Sequence, residues 1–246
     1  MFTAFVLGTM DIDTAASHIN CFIAIWFRIQ SPHISKKMQT VTIIDYGVGN
    51  LLSVCRALEH IGASFIIASE PSLIHNADRI ILPGVGAFGN CSRRLKKLGF
   101  WEPILQFQLN ERPILGICVG MQLLLRKSFE FGEHQGFGFI DGTIEKIPTS
   151  DETTTCRIVP NVGWHELTFD GVNSDKIFAK TPRPFSAYFT HSFYACPKNC
   201  NVTSKINYNG FEMCSSVKSN NVRGMQFHPE KSGRSGLKIL SNFVQL

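Results

Sequence analysis

The sequence has no CxxC pair. Its eight cysteines stand at 21, 55, 91, 118, 156, 196, 200 and 214, and the nearest two, Cys196 and Cys200, have no second pair to complete a zinc tetrad. A chain of 246 residues can bury an adequate core without covalent staples, so a disulfide scaffold is not called for either. No zinc site is expected, and small buried thiols in a reduced, cytoplasmic setting are the simplest reading. Runs of one charge are also missing. The 24 basic and 19 acidic residues give a formal net charge of +5, yet nothing exceeds pairs such as Arg93-Arg94 and Lys96-Lys97. A nucleic-acid surface needs basic residues gathered on one face, so no nucleic-acid partner is expected. No apolar run approaches the roughly 20 residues of a membrane helix. INCFIAIWF (19–27) falls well short, and Asp11 and Asp13 precede it where a secretion signal carries positive charge. No membrane partner is expected. Internal repeats and low-complexity tracts are absent.

What is present is the composition of an ordinary globular protein, 44% hydrophobic and 17% charged. Residues 1–37 fit poorly with the rest and are expected to be a disordered extension or a consequence of the assigned start. From Met38 the chain runs directly into a buried-strand pattern, so 38–246 is expected to form one domain. VTIID (41–45), SFIIA (64–68), RIILP (79–83) and PILGI (113–117) are short Ile- and Val-rich runs separated by loops or helical segments, the pattern of strands buried on both faces of a parallel sheet. NLLSVCRALEHIG (50–62) reads as a helix with Asn50 as N-cap and Gly62 as its stop. After residue 136, GFGFIDGTIEKI and VGWHELTF alternate and are joined by polar turns, which suggests added antiparallel strands. VRGMQF (222–227) should be the last strand, with SGLKILSNFVQ (235–245) as the closing helix. The expected fold class is α/β: a single domain with a mostly parallel central sheet, helices on both faces and added antiparallel strands.

One stretch carries chemistry. In PILGICVGMQLLL (113–125), Cys118 stands between Gly116 and Gly120 where an apolar run gives way to a helical pattern. This fits the G-x-nucleophile-x-G elbow, a sharp strand-to-helix turn that lifts a reactive side chain above a sheet. Its position at a helix start would favour the thiolate. A buried inert thiol is the alternative. A thiol nucleophile needs a base and a group to orient it, and His228 in MQFHPEKS is the best placed of eight histidines. Pro229 biases His228 towards extended backbone, where side chains two apart share a side, so Glu230 can reach the ring. A histidine satisfied by a neighbouring carboxylate at a strand end is the alternative. RIILPGVGAFGN contains Gly84, Gly86 and Gly89, a literal G-x-G-x-x-G. Pro83 interrupts the expected strand end, and about 20 residues on, where an acid should close a second strand, GFWEPILQ looks helical, so a dinucleotide site is disfavoured. The other reading is a loop whose amides, with that of Val119, hold a developing oxyanion.

IIDYGVGNL, LPGVGAFG, GICVGMQLL, GWHEL, YFTHSFY and QFHPEKSG follow one another in an order and spacing that resembles the class I (triad) glutamine amidotransferases over essentially all of 41–246. Within them the chain is most similar to the glutaminase subunits of imidazole glycerol phosphate synthase. The resemblance implies Cys118, His228 and Glu230 as the triad, and an oxyanion strand from Pro83 to Gly86, through Gly84 and Val85, whose peptide can reorient when a partner binds. It implies that Gln122 and Glu130 hold the head group of L-glutamine, with backbone of His191, Ser192 and Phe193 alongside. It further implies ammonia delivery to a synthase (cyclase) subunit in a heterodimer, serving histidine biosynthesis, with no metal and no organic cofactor called for. Where such subunits read Pro-His-Met-Gly-Trp-Asn, this chain has PNVGWH, with Asn161, Val162 and His165 replacing the histidine, methionine and asparagine; in the family this segment lies at the subunit interface. That departure keeps open a paralogous glutaminase feeding a surface-polysaccharide sugar amidotransferase. A non-catalytic binding module of the same fold is the reading from a different class.

Overall fold

The computed structural model describes residues 39–150, 156–169 and 175–246. The extension expected over 1–37 lies outside the described residues. In chain order the elements are β1 (Val41–Ile44), α1 (Leu51–His60), β2 (Phe65–Ala68), β3 (Arg79–Gly84), α2 (Phe88–Lys97), α3 (Trp101–Leu109), β4 (Ile114–Cys118) and α4 (Val119–Leu123). They continue as β5 (Leu125–Ser128), β6 (His134–Gln135), β7 (Ile140–Lys146), β8 (Asn161–Glu166), β9 (Ser186–His191), β10 (Phe193–Pro197), β11 (Val202–Tyr208), β12 (Phe211–Ser219), β13 (Val222–Met225) and α5 (Gly233–Val244).

Seven strands form the central sheet in the order β11-β12-β13-β4-β3-β1-β2. From β13 to β2 every neighbouring pair is parallel, and β12 and β11 add on antiparallel. Every residue of β1, β3, β4 and β13 is buried, which is why these strands read as unbroken apolar runs rather than alternations. The chain moves one way along the sheet from β1 to β2 and the opposite way from β3 to β4. Right-handed crossovers in opposite directions put their helices on opposite faces, α1 on one and α2 with α3 on the other.

The structure departs from expectation in four places. β2 is a sheet edge, so Ile66 and Ile67 are exposed rather than buried on both faces. Pro83 lies within β3, paired with Ile117, instead of ending the strand. Asn50 stands at the N-cap of α1 but its side chain makes no capping hydrogen bond, while Gly62, just beyond the C-terminus, takes a positive φ of 68° as a stop residue does. The alternating segments after 136 mostly form sheets of their own: β7 belongs to a four-stranded sheet ordered β10-β7-β5-β6, and β8 pairs antiparallel with β9, while the chain just past β8 touches the central sheet through a single antiparallel bridge from Thr168 to Lys205 of β11. Alternation signals a half-buried strand but does not choose its partner.

The adjacent parallel strands β13, β4 and β3 all end at the same edge, and ligands of open α/β sheets bind beyond that carboxyl edge. Their registers align Met225 with Ile117 and Gly84 with Cys118. The next residues along, Gln226 and Val85, therefore emerge on either side of Cys118.

Candidate active site

Cys118 closes β4 and stands at the start of α4 with φ 55° and ψ −113°. A non-glycine residue in this region costs on the order of 1–3 kcal/mol and persists only where the surroundings enforce it. The flanking glycines show what does. A Cβ on Gly116 would lie 2.6 Å from the Gly120 carbonyl oxygen, and one on Gly120 would overlap the Leu82 carbonyl of β3. The helix start folds back over the strand ends so tightly that neither position has room for a side chain. The helical pattern read after Cys118 continues for only one turn, to Leu123, before β5 begins.

His228 stands just past β13 in extended backbone, φ −98° and ψ 97°, as the following proline predicts. Pro229–Lys231 is a short 3₁₀ turn, so Glu230 reaches the ring through that turn and not by alternation along an extended chain. Glu230 Oε1 lies 2.7 Å from His228 Nδ1, with both side chains withdrawn from solvent. Ser232 fixes the backbone here: its Oγ donates to the His228 carbonyl at 2.6 Å and accepts from the Tyr188 amide at 3.1 Å. His228 Nε2 makes no hydrogen bond of normal geometry among the described residues, which leaves it for the thiol. Burial works to lower the His228 pKa, but interaction with the Cys118 sulfur and with Glu230 outweighs it and raises the pKa to about 10. A protonated imidazole beside the sulfur is the resulting resting arrangement.

These groups open on a cavity of about 330 Å³ lined by Val85, Gly86, Cys118, Val119, Gln122, Glu130, Pro160, Thr190, His191, Ser192, Phe193 and His228. Of the expected site residues, Gly84 and Glu230 alone are outside this lining. Gly84 backs the cysteine, where an added Cβ would meet Gly120, Tyr46 and Val119, and Glu230 stands behind His228. Val85 is exposed at the mouth. The carbonyls around it are held from behind: the Tyr46 hydroxyl donates to Pro83 O at 2.9 Å, and the Cys91 thiol donates to Val85 O at 3.5 Å. Gly86 takes a φ of 86°, and Gly89 lies inside α2 against the His134 ring.

Gln122 is buried, and its Nε2 donates to Phe193 O at 3.1 Å and to Gln226 Oε1 at 3.0 Å. Both its amide hydrogens are thus committed, leaving its Oε1 for a ligand. Glu130 accepts from the Phe88 amide at 2.5 Å, and burial raises its pKa despite that hydrogen bond and the nearby His134. His191 Nδ1 pairs with Phe193 O at 2.9 Å and its Nε2 with Asn161 Nδ2 at 3.0 Å, while Asn161 Oδ1 meets His165 Nε2 at 2.7 Å. Burial lowers the His191 pKa to about 4, so the ring is neutral. It then donates from Nδ1 and accepts at Nε2. Within the 161–165 segment Val162 and Trp164 are exposed, whereas Asn161 is buried and tied to the pocket wall.

Sequence reasoning missed Gln226, which is fully buried, with Nε2 3.7 Å from the Cys118 sulfur. It also missed Tyr46 and Thr190. No spacing rule marks such residues, because their meaning arises from strands far apart in sequence. Among the described residues no cluster of three or more His, Cys, Asp or Glu is placed to hold a metal ion, and no helix is long and apolar enough to cross a membrane.

The sequence pattern of the family described as glutamine amidotransferase class-I matches residues 42–246. The chain is 44% identical over 213 residues to the imidazole glycerol phosphate synthase subunit HisH 1 of Legionella pneumophila (strain Lens), covering 85% of this chain and 100% of that one. It is 42% identical over 208 residues to the imidazole glycerol phosphate synthase subunit HisH of Geobacter metallireducens, covering 84% of this chain and 98% of that one. Among solved structures, PurLQS from Thermotoga maritima superposes with a TM-score of 0.62 at 20% identity, over 85% of this chain and 98% of that one. The fold, the elbow and the extent of these matches agree, and the chain belongs to the class I glutamine amidotransferases.

Proposed function

We propose that the chain is the glutaminase subunit of imidazole glycerol phosphate synthase. It hydrolyses L-glutamine to glutamate and passes the ammonia to a synthase subunit that makes imidazole glycerol phosphate and AICAR in histidine biosynthesis. The observation that carries this reading is the Cys118, His228 and Glu230 arrangement on an amino-acid-sized cavity, in a chain matching its HisH relatives over nearly their whole length.

The chemistry follows from the geometry. The Cys118 thiolate attacks the side-chain amide carbon, and the oxyanion is held by backbone at Gly84 and Val85 and by the Val119 amide, which at a helix start has no intrahelical partner. Imidazolium His228 gives its proton to the departing nitrogen, releasing ammonia and leaving a glutamyl thioester. Neutral His228 then takes a proton from water, hydroxide displaces the sulfur, and glutamate leaves with the thiolate and imidazolium restored. Glu230 keeps the ring oriented throughout. Gln122 Oε1 and the Glu130 carboxylate face the substrate's ammonium end, with the backbone of 191–193 alongside.

Free ammonia would be protonated in water, so the product needs a covered exit. The rim supplies an apolar surface for one: Phe129 and Phe131 flank a second cavity that shares Glu130, Ser192 and Phe193 with the first, and Phe131 is 86% exposed. Val162 and Trp164 are exposed on β8. Exposed apolar side chains of this size fit a protein contact, and we assign them to the synthase in a heterodimer.

Two experiments test the reading. Cys118→Ala should abolish glutamine hydrolysis with the fold intact, and an electrophilic glutamine analogue should label Cys118 ahead of the other thiols; persistent activity sinks the assignment. The gene should also restore growth without histidine, on low ammonium, to a strain lacking its glutaminase subunit. Failure there, with glutaminase activity intact and a sugar-pathway synthase co-purifying, moves the partner to the surface-polysaccharide alternative.

A further inference from the structure

Besides His228, one other side chain among the described residues brings a donor to the Cys118 sulfur. Gln226 follows the last residue of β13, and the β13–β4 register places it beside Cys118. Its orientation is set by a chain of hydrogen bonds. Gln122 Nε2 faces two oxygens, Phe193 O and Gln226 Oε1, and an NH₂ group has two hydrogens to give. Turning the Gln122 amide over would set its carbonyl against the Phe193 carbonyl. Turning Gln226 over would set two NH₂ groups face to face. The arrangement that satisfies every group directs the Gln226 N–H at the sulfur, 3.7 Å away.

The other groups around Cys118 do not duplicate this donor. The Thr190 carbonyl, 4.0 Å from the sulfur, accepts from a neutral thiol and so favours the protonated form. The Tyr46 hydroxyl is committed to Pro83 O, and both ring nitrogens of His191 are engaged. Cys91 donates to Val85 O, and Glu130, on the cavity wall, carries no donor when ionised. Glu230 lies behind His228. Among the described residues the side-chain donors to a thiolate are therefore His228 and Gln226.

We infer that Gln226 is a further catalytic residue, whose side-chain amide donates to the Cys118 sulfur and favours the thiolate, and that Gln122 is the positioning residue orienting it. The inference rests on Cys118 being the nucleophile. Gln226 acts before substrate arrives, so the free protein reports it. A hydrogen bond to a charged group corresponds to about a tenfold to hundredfold effect, or about one pH unit or more on the thiol.

The test is the pH dependence of iodoacetamide alkylation at Cys118, read by peptide mass on the full chain because Cys156 and Cys200 are exposed. Gln226→Met removes the donor at similar volume, and Gln226→Glu keeps an acceptor for Gln122 but turns an oxygen to the sulfur. Both should raise the alkylation midpoint by about one pH unit and lower kcat for glutamine at least about tenfold, with KM changing far less. Gln122→Leu frees the Gln226 amide to turn and should move the midpoint in the same direction by less. This third variant keeps the question open to refutation should substitution of the fully buried Gln226 prevent folding. A wild-type midpoint in folded Gln226→Met, or in Gln122→Leu, overturns the inference and leaves Gln226 a packing residue. Glutaminase activity surviving in Cys118→Ala would instead overturn the nucleophile assignment, so the two failures are distinct.

Discussion

Glu230 Oε1 lies 2.7 Å from His228 Nδ1, with the two side chains 1% and 3% exposed. At this burial the carboxylate does two things: it fixes Nδ1 as the protonated nitrogen and stabilises the imidazolium. Glu230→Gln retains the shape but removes the charge, and its amide can either donate or accept, so the tautomer is no longer fixed. We expect kcat to fall about a hundredfold or more with KM nearly unchanged. Without the carboxylate the imidazolium is less favoured, so the pH at which His228 loses its proton moves down. An alkaline limb of the kcat/KM profile that stays in place would count against this role.

Gly120 tests the elbow itself. Its missing Cβ would overlap the Leu82 carbonyl, which is backbone in a fully buried strand and has no easy way to move. Gly120→Ala should therefore destabilise the protein by about 1–3 kcal/mol or more and displace Cys118, so that alkylation of Cys118 and glutamine turnover fall together. Gly62→Ala serves as the comparison, since nothing lies within 4 Å of its missing Cβ and only its φ of 68° opposes the change. Gly120 is helical with no positive φ, so a loss no larger than that of Gly62→Ala would mean that the close approach to β3 is not what makes Gly120 necessary.

How much of this was legible in the sequence depends on how far apart the determining residues are. β1, β3 and β4 were readable because burial on both faces writes itself into every residue of a short strand. The elbow was readable because both glycines and the cysteine lie within five residues, and His228 with Glu230 because they are two positions apart, although a 3₁₀ turn and not alternation brings them together. The exposure of β2 was not, since its Ile66 and Ile67 look like core until the strand is known to be an edge. Neither was Gln226, whose partner Cys118 is 108 positions away and is reached only through the register of two parallel strands.

His191 gives a pH signature for stability. Burial holds its folded pKa at about 4 against 6.5 for a free histidine, so between those values the unfolded chain binds a proton that the native one does not. Stability then falls as pH drops from about 6.5 towards about 4, by up to about 3 kcal/mol. His191→Gln removes that titration while retaining an amide for Asn161 and the Phe193 carbonyl. Glu130, with its raised pKa, works in the opposite sense but is common to both proteins. Denaturant unfolding between pH 7 and pH 4 should show a shallower acid loss in His191→Gln than in wild type. Parallel curves would place a protonated His191 in the folded state.

The Asn161 and His165 pair makes the strongest demand on the structure. The subunits that the sequence resembles would have histidine and asparagine at these positions in the opposite order, and here Asn161 bridges His165 to His191 through its two amide atoms. Asn161→His alone replaces a group that donates on one side and accepts on the other with a bulkier ring in a fully buried site. His165→Asn alone leaves Asn161 Oδ1 with a shorter partner that does not span the same distance. Each single change should cost about 1–3 kcal/mol, because a buried polar atom loses its partner. Each should also raise KM for glutamine, since His191 holds the Phe193 carbonyl at the pocket. The double variant Asn161→His/His165→Asn has one imidazole and one amide again, in reversed order, and should recover much of both losses. Unfolding midpoints of the four proteins form the cycle, and the coupling should exceed what distant, independent sites show. Losses that simply add would mean that the two positions do not act through each other and that the exchange answers to the partner surface beside Trp164 instead of the pocket wall.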